Sequence, residues 1–369
     1  MTIELLNNKK RLDWLDGARG IAIIFVMLVH ISFIKSDLDW LSILLKYGQY
    51  GVQIFFVIST LTCILTFKSN TIISDWYIKR ITRISVVYFS GIFFYYLNYL
   101  FFKYIGVKKY IGYDEFKNII ANFFYLHAWI PSANNSIVPG GWSIAIEIWF
   151  YIIFPFLIFR LNSLKNRLFL LLFLLLMLSL NFVLFSPIVN NSYEYFSPLN
   201  QIPVFLWILL IYSFVGYNYF WLNRETNFIF LSFGFLLMLL AGFFGVWYGL
   251  SNILAPNLIG CGFFMILLGL GELKKIFELG FLVYLGRISF SLYIIHFFVI
   301  DVIRFIIKYF KLNIILSGFS FWFFILSSCF IISIIFAHFL KIFIEDKYIY
   351  FANKCIKFKN NLILVRSKN

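Results

Sequence analysis

Arg19 and His30 stand eleven residues apart in the apolar string Arg-Gly-Ile-Ala-Ile-Ile-Phe-Val-Met-Leu-Val-His. On one helix that separation is about 16 Å, roughly half a bilayer's hydrocarbon thickness. A neutral imidazole at such depth can accept a proton from a hydroxyl, which is general-base chemistry. The bland alternative is a packing histidine bonded to a neighbouring helix. Glu147, in Gly-Gly-Trp-Ser-Ile-Ala-Ile-Glu, follows Trp142 and Ser143 into another apolar run. Its carboxylate could orient a histidine, or be protonated and bonded to the backbone. Ser143 has no nucleophile elbow around it, so its type argues for a hydrogen-bonding group and against a nucleophile. Arg80 and Arg83, three apart, share a helical face. With Lys79 and Arg19 they could bind phosphates, although anchoring at a membrane surface also explains basic residues there. His296, in Ile-Ser-Phe-Ser-Leu-Tyr-Ile-Ile-His with Tyr293 one turn earlier, reaches about 13 Å beyond Arg287 if the run is helical. Two histidines at similar depth suggest one polar cavity. His127 and His338 carry no assigned role.

These groups sit in a chain that only lipid can solvate. Of its 369 residues 62% are apolar and 13% charged, with a mean hydropathy of +0.90. Soluble domains carry about 45–50% apolar and about 25% charged residues. The 50 Phe are too many for aromatic belts alone, and much of that bulk is expected to face lipid. Backbone groups in hydrocarbon must pair within their own segment, so an all-α polytopic bundle is the expected class. Cys63, Cys261, Cys329 and Cys355 lack metal-ligand spacing and read as packing. No metal site, Walker loop or dinucleotide fingerprint appears.

Spanning runs fall at 17–34, 47–67, 84–102, 142–160, 167–186, 202–221, 227–248, 252–271, 281–307 and 314–344. The first is read as a retained helix, not a cleaved signal. The stretch 118–130 is too short to cross and reads as re-entrant or interfacial. Of the 31 Lys and Arg, most fall on the side of the two termini, including Lys9, Lys10, Arg11, Arg19, Lys79, Arg80, Arg83 and the C-terminal cluster. Lys103, Lys108 and Lys109 fall opposite. The positive-inside rule then puts both termini in the cytoplasm. The net charge of +15 follows from this topology and from contact with anionic lipid headgroups, so no nucleic-acid partner is expected. Residues 1–350 form the expected membrane domain and 351–369 a basic cytoplasmic tail.

In order along the chain, these motifs resemble the acyltransferase 3 family of membrane acyltransferases. Arg11 to Ala22 resembles its opening motif, and Arg19 to His30 its arginine-ten-residues-histidine signature. Gly51 to Ser59 is similar to the second-helix motif, and Arg80 with Arg83 to the paired arginines. Trp142, Ser143, Glu147, Phe150, Tyr151 and Pro155 resemble the central motif, Ile288 to His296 the late helix, and Phe343 to Glu345 the closing element. Thr60 and Leu61 replace a usual Gly-Phe pair, Lys347 replaces a proline after Asp346, and Val87 stands where a proline often occurs. No esterase-like domain follows the tenth span, so acceptor handling is expected within the bundle or in a partner.

The resemblance implies transfer of an acyl group, acetyl by family preference, from cytoplasmic acetyl-CoA to a hydroxyl of a surface glycan. O-antigen of lipopolysaccharide, capsule, exopolysaccharide, peptidoglycan and small glycosides are all within the family's reach. A bacterial inner membrane is the expected location. Arg19, Lys79, Arg80 and Arg83 would hold the donor's nucleotide. His30 would be general base with Glu147 its partner, and Trp142, Ser143, Tyr293 and His296 would contact substrate. The rival reading is a glycan or lipid-linked sugar transporter, which also uses midmembrane ionisable groups. Against it, no repeat halves or paired broken helices are visible. A purely structural protein would leave Arg19, His30 and Glu147 unexplained.

Overall fold

Long runs of Leu, Ile and Phe leave the backbone no partner but itself, and the described residues answer with long helices. A computed structural model describes residues 12–32, 45, 47–104, 115–185, 193–216, 224–247, 251–312 and 318–366. The helices are α1 Asp13–Ser32, α2 Gly51–Thr66, α3 Ile73–Tyr104, α4 Phe116–Phe123, α5 Gly141–Ile158, α6 Leu164–Phe185 and α7 Pro198–Val215. After them come α8 Arg224–Trp247, α9 Ser251–Gly269, α10 Gly280–Phe310, α11 Gly318–Leu340 and α12 Asp346–Arg366. Ten candidate spans are long and apolar enough to cross a membrane, and among the described residues there is no strand. The expected polytopic bundle is therefore the fold. Lys9, Lys10, Arg11, Lys108 and Lys109 lie outside the described residues.

Residues 118–130 do not span. The eight-residue α4 leads into a tight turn over His127–Trp129, beside the start of α5. His127 is fully buried there, its Nε2 3.0 Å from the Tyr88 hydroxyl, which in turn donates to Asn122 at 2.7 Å. Burial pushes the His127 pKa below its ordinary value, as suits a neutral packing residue.

Helices α1, α2, α5, α7, α9 and α10 form the interior, and α6 and α8 stand at the periphery with Phe169, Phe228 and Leu239 turned outward. Small residues set the closest approach. A Cβ on Gly286 of α10 would lie 1.7 Å from the Asp16 carbonyl oxygen of α1, and one on Gly17 would lie 1.6 Å from that of Phe277. Without a hydrophobic force between helices in lipid, such backbone contact is what membrane helices pack by. It fixes α1 against α10, the two helices that carry His30 and His296.

The 351–369 segment, expected as a tail, is helical as far as Arg366. Helix α11 runs into α12 through a π-turn over Lys341–Glu345, where the Asp346 amide donates to the Lys341 carbonyl five residues back.

Candidate active site

Spacing along the interior helices makes one polar column. On α5, Ser143, Glu147 and Tyr151 fall one turn apart on a single face. On α2 that face carries Val52, Phe56, Ser59 and Thr62; on α1, Asp16, Arg19 and His30. On α10 it carries Ser289, Tyr293 and His296. The arginines of α1 and α3 stand at one end of this column and His30 at the other.

At the arginine end the cations are held by named acceptors. Arg19 donates to Asp16 Oδ1 at 2.8 Å and to Thr62 Oγ1 at 2.7 Å. Arg287 reaches the same Asp16 at 3.8 Å and Asp13 at 2.9 Å. Arg83 lies 3.8 Å from Glu345, whose other oxygen accepts from Ser291 at 3.0 Å. Arg80 donates to the Thr62 carbonyl at 3.1 Å and to Thr66 Oγ1 at 2.8 Å. Its guanidinium also lies over the rings of Trp76 and Tyr151, at 5.8 and 5.7 Å. Those partners are neutral, so they orient the Arg80 charge without cancelling it.

Above the arginines a narrow cavity of about 80 Å³ is lined by Arg19, Arg80, Arg83, Ser59, Glu147 and Tyr293, among others. Glu147 faces it, accepting from Ser59 and, at 2.6 Å, from Tyr151. A second cavity of about 290 Å³ lies toward the histidine end, lined by His30, Gln49, Trp142, Tyr195 and Asn252. Val52 and Tyr293 line both cavities, so a single layer of side chains divides them. The Tyr293 hydroxyl is 2.8 Å from Ser143 Oγ and donates to the Gly140 carbonyl at 3.0 Å. Gly140 adopts φ +76° there, a left-handed conformation that suits glycine, and its missing side chain leaves room for that hydroxyl.

His30 does not pair with Glu147 as expected. Its Nδ1 lies 2.7 Å from the Val26 carbonyl and 3.2 Å from His296 Nε2. His296 Nδ1 in turn faces two carbonyls, Tyr293 at 2.7 Å and Leu292 at 3.2 Å. Carbonyls only accept, so His296 carries its proton on Nδ1 and offers a lone pair at Nε2. By the same rule the proton of neutral His30 sits on Nδ1, and its basic lone pair falls on Nε2. His30 is thus held by another histidine, and among the described residues no carboxylate stands between the two rings. His296 is fully buried, lines neither cavity and meets His30.

Among the other expected residues, Arg19, Arg80, Arg83, Ser143 and Tyr293 line the narrow cavity, and Trp142 and Tyr293 the wider one. Lys79 lies outside both, on the rim of a larger groove that also reaches Arg80 and Arg83. Ser59, Tyr151, Tyr195 and Glu345 were not singled out as site residues. Three of them lie within the stretches that resembled family motifs, which was the available signal; Tyr195 had none. Among the described residues, no group of three or more His, Cys, Asp or Glu is placed to hold a metal ion.

The chain is 30% identical to the peptidoglycan O-acetyltransferase OatA of Listeria monocytogenes over 176 aligned positions, 43% of this chain and 26% of that relative. It therefore spans about a quarter of the length of that curated relative. No solved structure matches. A family model described as an acyltransferase domain matches residues 12–338, from before Arg19 to beyond His296, and the chain belongs to the acyltransferase 3 family.

Proposed function

We propose that the protein transfers an acetyl group from cytoplasmic acetyl-CoA to a hydroxyl of a glycan on the opposite face of a bacterial inner membrane. The observation that carries this is the column itself. Oriented cations at one end and a histidine with a defined basic nitrogen at the other are separated by two cavities sharing one wall. A donor with an anionic head and a long thin arm fits the first end. A sugar fits the wider, aromatic- and amide-lined cavity at the second.

In the reaction, Arg80, Arg83 and Arg19 hold the nucleotide of the donor, and Lys79 adds charge at the rim. The pantetheine arm follows the column past Ser59, Glu147 and Tyr151 to Tyr293. The acceptor hydroxyl sits against Trp142 beside His30. His30 Nε2 takes the hydroxyl proton as the oxygen attacks the thioester carbonyl, and the Tyr293 and Ser143 hydroxyls, which in the resting site both donate to the Gly140 carbonyl, turn to donate to the oxyanion. Collapse of the tetrahedral intermediate breaks the carbon–sulfur bond. The departing thiolate recovers the proton from His30, so charge and protons balance. His296 acts through His30 as a positioning residue, and Glu147 orients Ser59 and Tyr151 along the donor's route.

Two expected results follow from these assignments. Arg80→Gln removes a charge-assisted contact worth about 1.5–3 kcal/mol, so the KM for acetyl-CoA should rise roughly tenfold or more. The acceptor KM should barely move, and equal changes in both would refute the assignment. His296→Phe keeps the ring volume but cannot accept from His30, whose Nδ1 proton is then held by the Val26 carbonyl alone and whose ring is less firmly oriented. A fall in kcat of roughly tenfold or more is expected at unchanged donor KM, the pattern of a lost positioning contact.

The function is tested by the O-acetyl content of surface polysaccharide in cells with and without the protein. Loss of O-acetyl groups in its absence is expected. Unchanged acetylation with reduced glycan export would instead favour a transporter.

A further inference from the structure

Helix lengths point to a site beyond the bundle. At 1.5 Å per residue, the continuous run 318–360 is about 64 Å long, roughly twice the hydrocarbon thickness. The 32 residues of α3 extend about 48 Å and also exceed it. Both excesses lie at the arginine end, where α12 leans against the first turns of α3. Lys359 Nζ donates to Ser74 Oγ at 2.6 Å and Asp75 Oδ1 at 2.7 Å, and Asn360 donates to Asp75 Oδ2 at 3.1 Å. Between the two helices runs a groove of about 1060 Å³, large enough for a whole small-molecule ligand.

The groove's lining is amphipathic. Trp76 of α3 and Ile72 just before it line an apolar floor with Ile349 and Ala352 of α12, and Lys79, Arg80, Arg83, Lys341 and Asn353 edge it. Its carboxylates are each matched to a cation: Asp75 to Lys359, Asp346 to Lys341, and Glu345 to Arg83. Arg80, with its neutral partners, and the exposed Lys79 keep their charge for a ligand. Flat apolar walls beside cations suit a purine carrying phosphates. The π-turn makes this possible: its extra residue turns Glu345 inward to Arg83 and Ser291 and brings the Ile349, Ala352 and Asn353 face onto the groove. All of α12 lies beyond the 12–338 match to the family model.

We propose that α12 is a donor-binding element whose Ile349, Ala352 and Asn353 face, clamped by Lys359 on Asp75, forms the second wall of the site for the nucleotide end of the acyl donor. This deepens the reading above and rests on it.

The test compares two donors on full-length protein in nanodiscs: acetyl-CoA, and S-acetylpantetheine, which has the same thioester and arm but no nucleotide. Ala352→Trp fills the floor of the groove, and Lys359→Ala releases the clamp. The ratio of kcat/KM for acetyl-CoA over S-acetylpantetheine should fall roughly tenfold or more in Ala352→Trp and a few-fold in Lys359→Ala. An unchanged ratio in both overturns the role of α12, whether the variants stay fully active or lose both donors equally. A wild-type protein that uses neither donor overturns the acetyl-transfer reading itself, and the proposal with it.

Discussion

His30→Ala should lower kcat about 10²–10⁴-fold while leaving the KM for acetyl-CoA near its wild-type value. The donor's affinity comes from the arginine end, one column length away, whereas the proton is taken at Nε2 of His30. His30→Gln tests the same point more narrowly, because it keeps a polar side chain of similar reach but no group that can be protonated near neutral pH. Its activity should match that of His30→Ala. Both are measured as acetyl transfer by membranes holding equal amounts of protein. A His30→Ala protein within threefold of wild type would remove His30 from the reaction and with it the reason for the column's direction.

The separation of Arg19 and His30 was legible in the sequence because helical rise converts residue number into distance along α1. The ten spans were legible for a related reason, since an unbroken apolar run has few ways to satisfy its backbone. Rise gives no azimuth, however, and azimuth decides partners. Glu147 and His30 both count as intramembrane groups, yet Glu147 lies about one and a half turns below Trp142 on α5 and meets Ser59 and Tyr151 instead. His296 occupies the place beside His30 because α1 and α10 touch backbone to backbone at Gly20 and Gly286. A lone glycine in an apolar run does not announce which helix it meets. Ser59, Tyr151 and Tyr195 are uncharged and draw no attention in a membrane chain rich in Tyr and Ser. The helicity of α12 was hidden by its charge: Lys and Asn spaced through residues 346–360 resemble a solvated tail, and only Ile349, Ala352 and Ile356 on one face betray a packed helix.

Gly286→Ala should be among the most damaging single-methyl changes in the bundle. The added Cβ would fall 1.7 Å from the Asp16 carbonyl oxygen, and both atoms belong to rigid helical backbone, so no side-chain rotation can relieve the clash. The helices α1 and α10 must separate by more than 1 Å to restore ordinary contact, at a cost of about 1–3 kcal/mol or more. That movement acts on the site from both ends. Asp16 anchors Arg19 and Arg287 at the arginine end, and the same two helices bring His30 to His296. Gly280→Ala on the same helix is the control, because a Cβ there meets nothing within 4 Å and should shift stability by no more than about 0.5 kcal/mol. Thermal unfolding in detergent, with kinetics on the folded fraction, separates the two effects. Gly286→Ala should lower the Tm by several degrees, raise the donor KM and reduce kcat together, whereas Gly280→Ala should overlay wild type. If the two variants behave alike, the contact between α1 and α10 does not hold the two histidines in register, and their pairing must be maintained by the neighbouring helices α2 and α11.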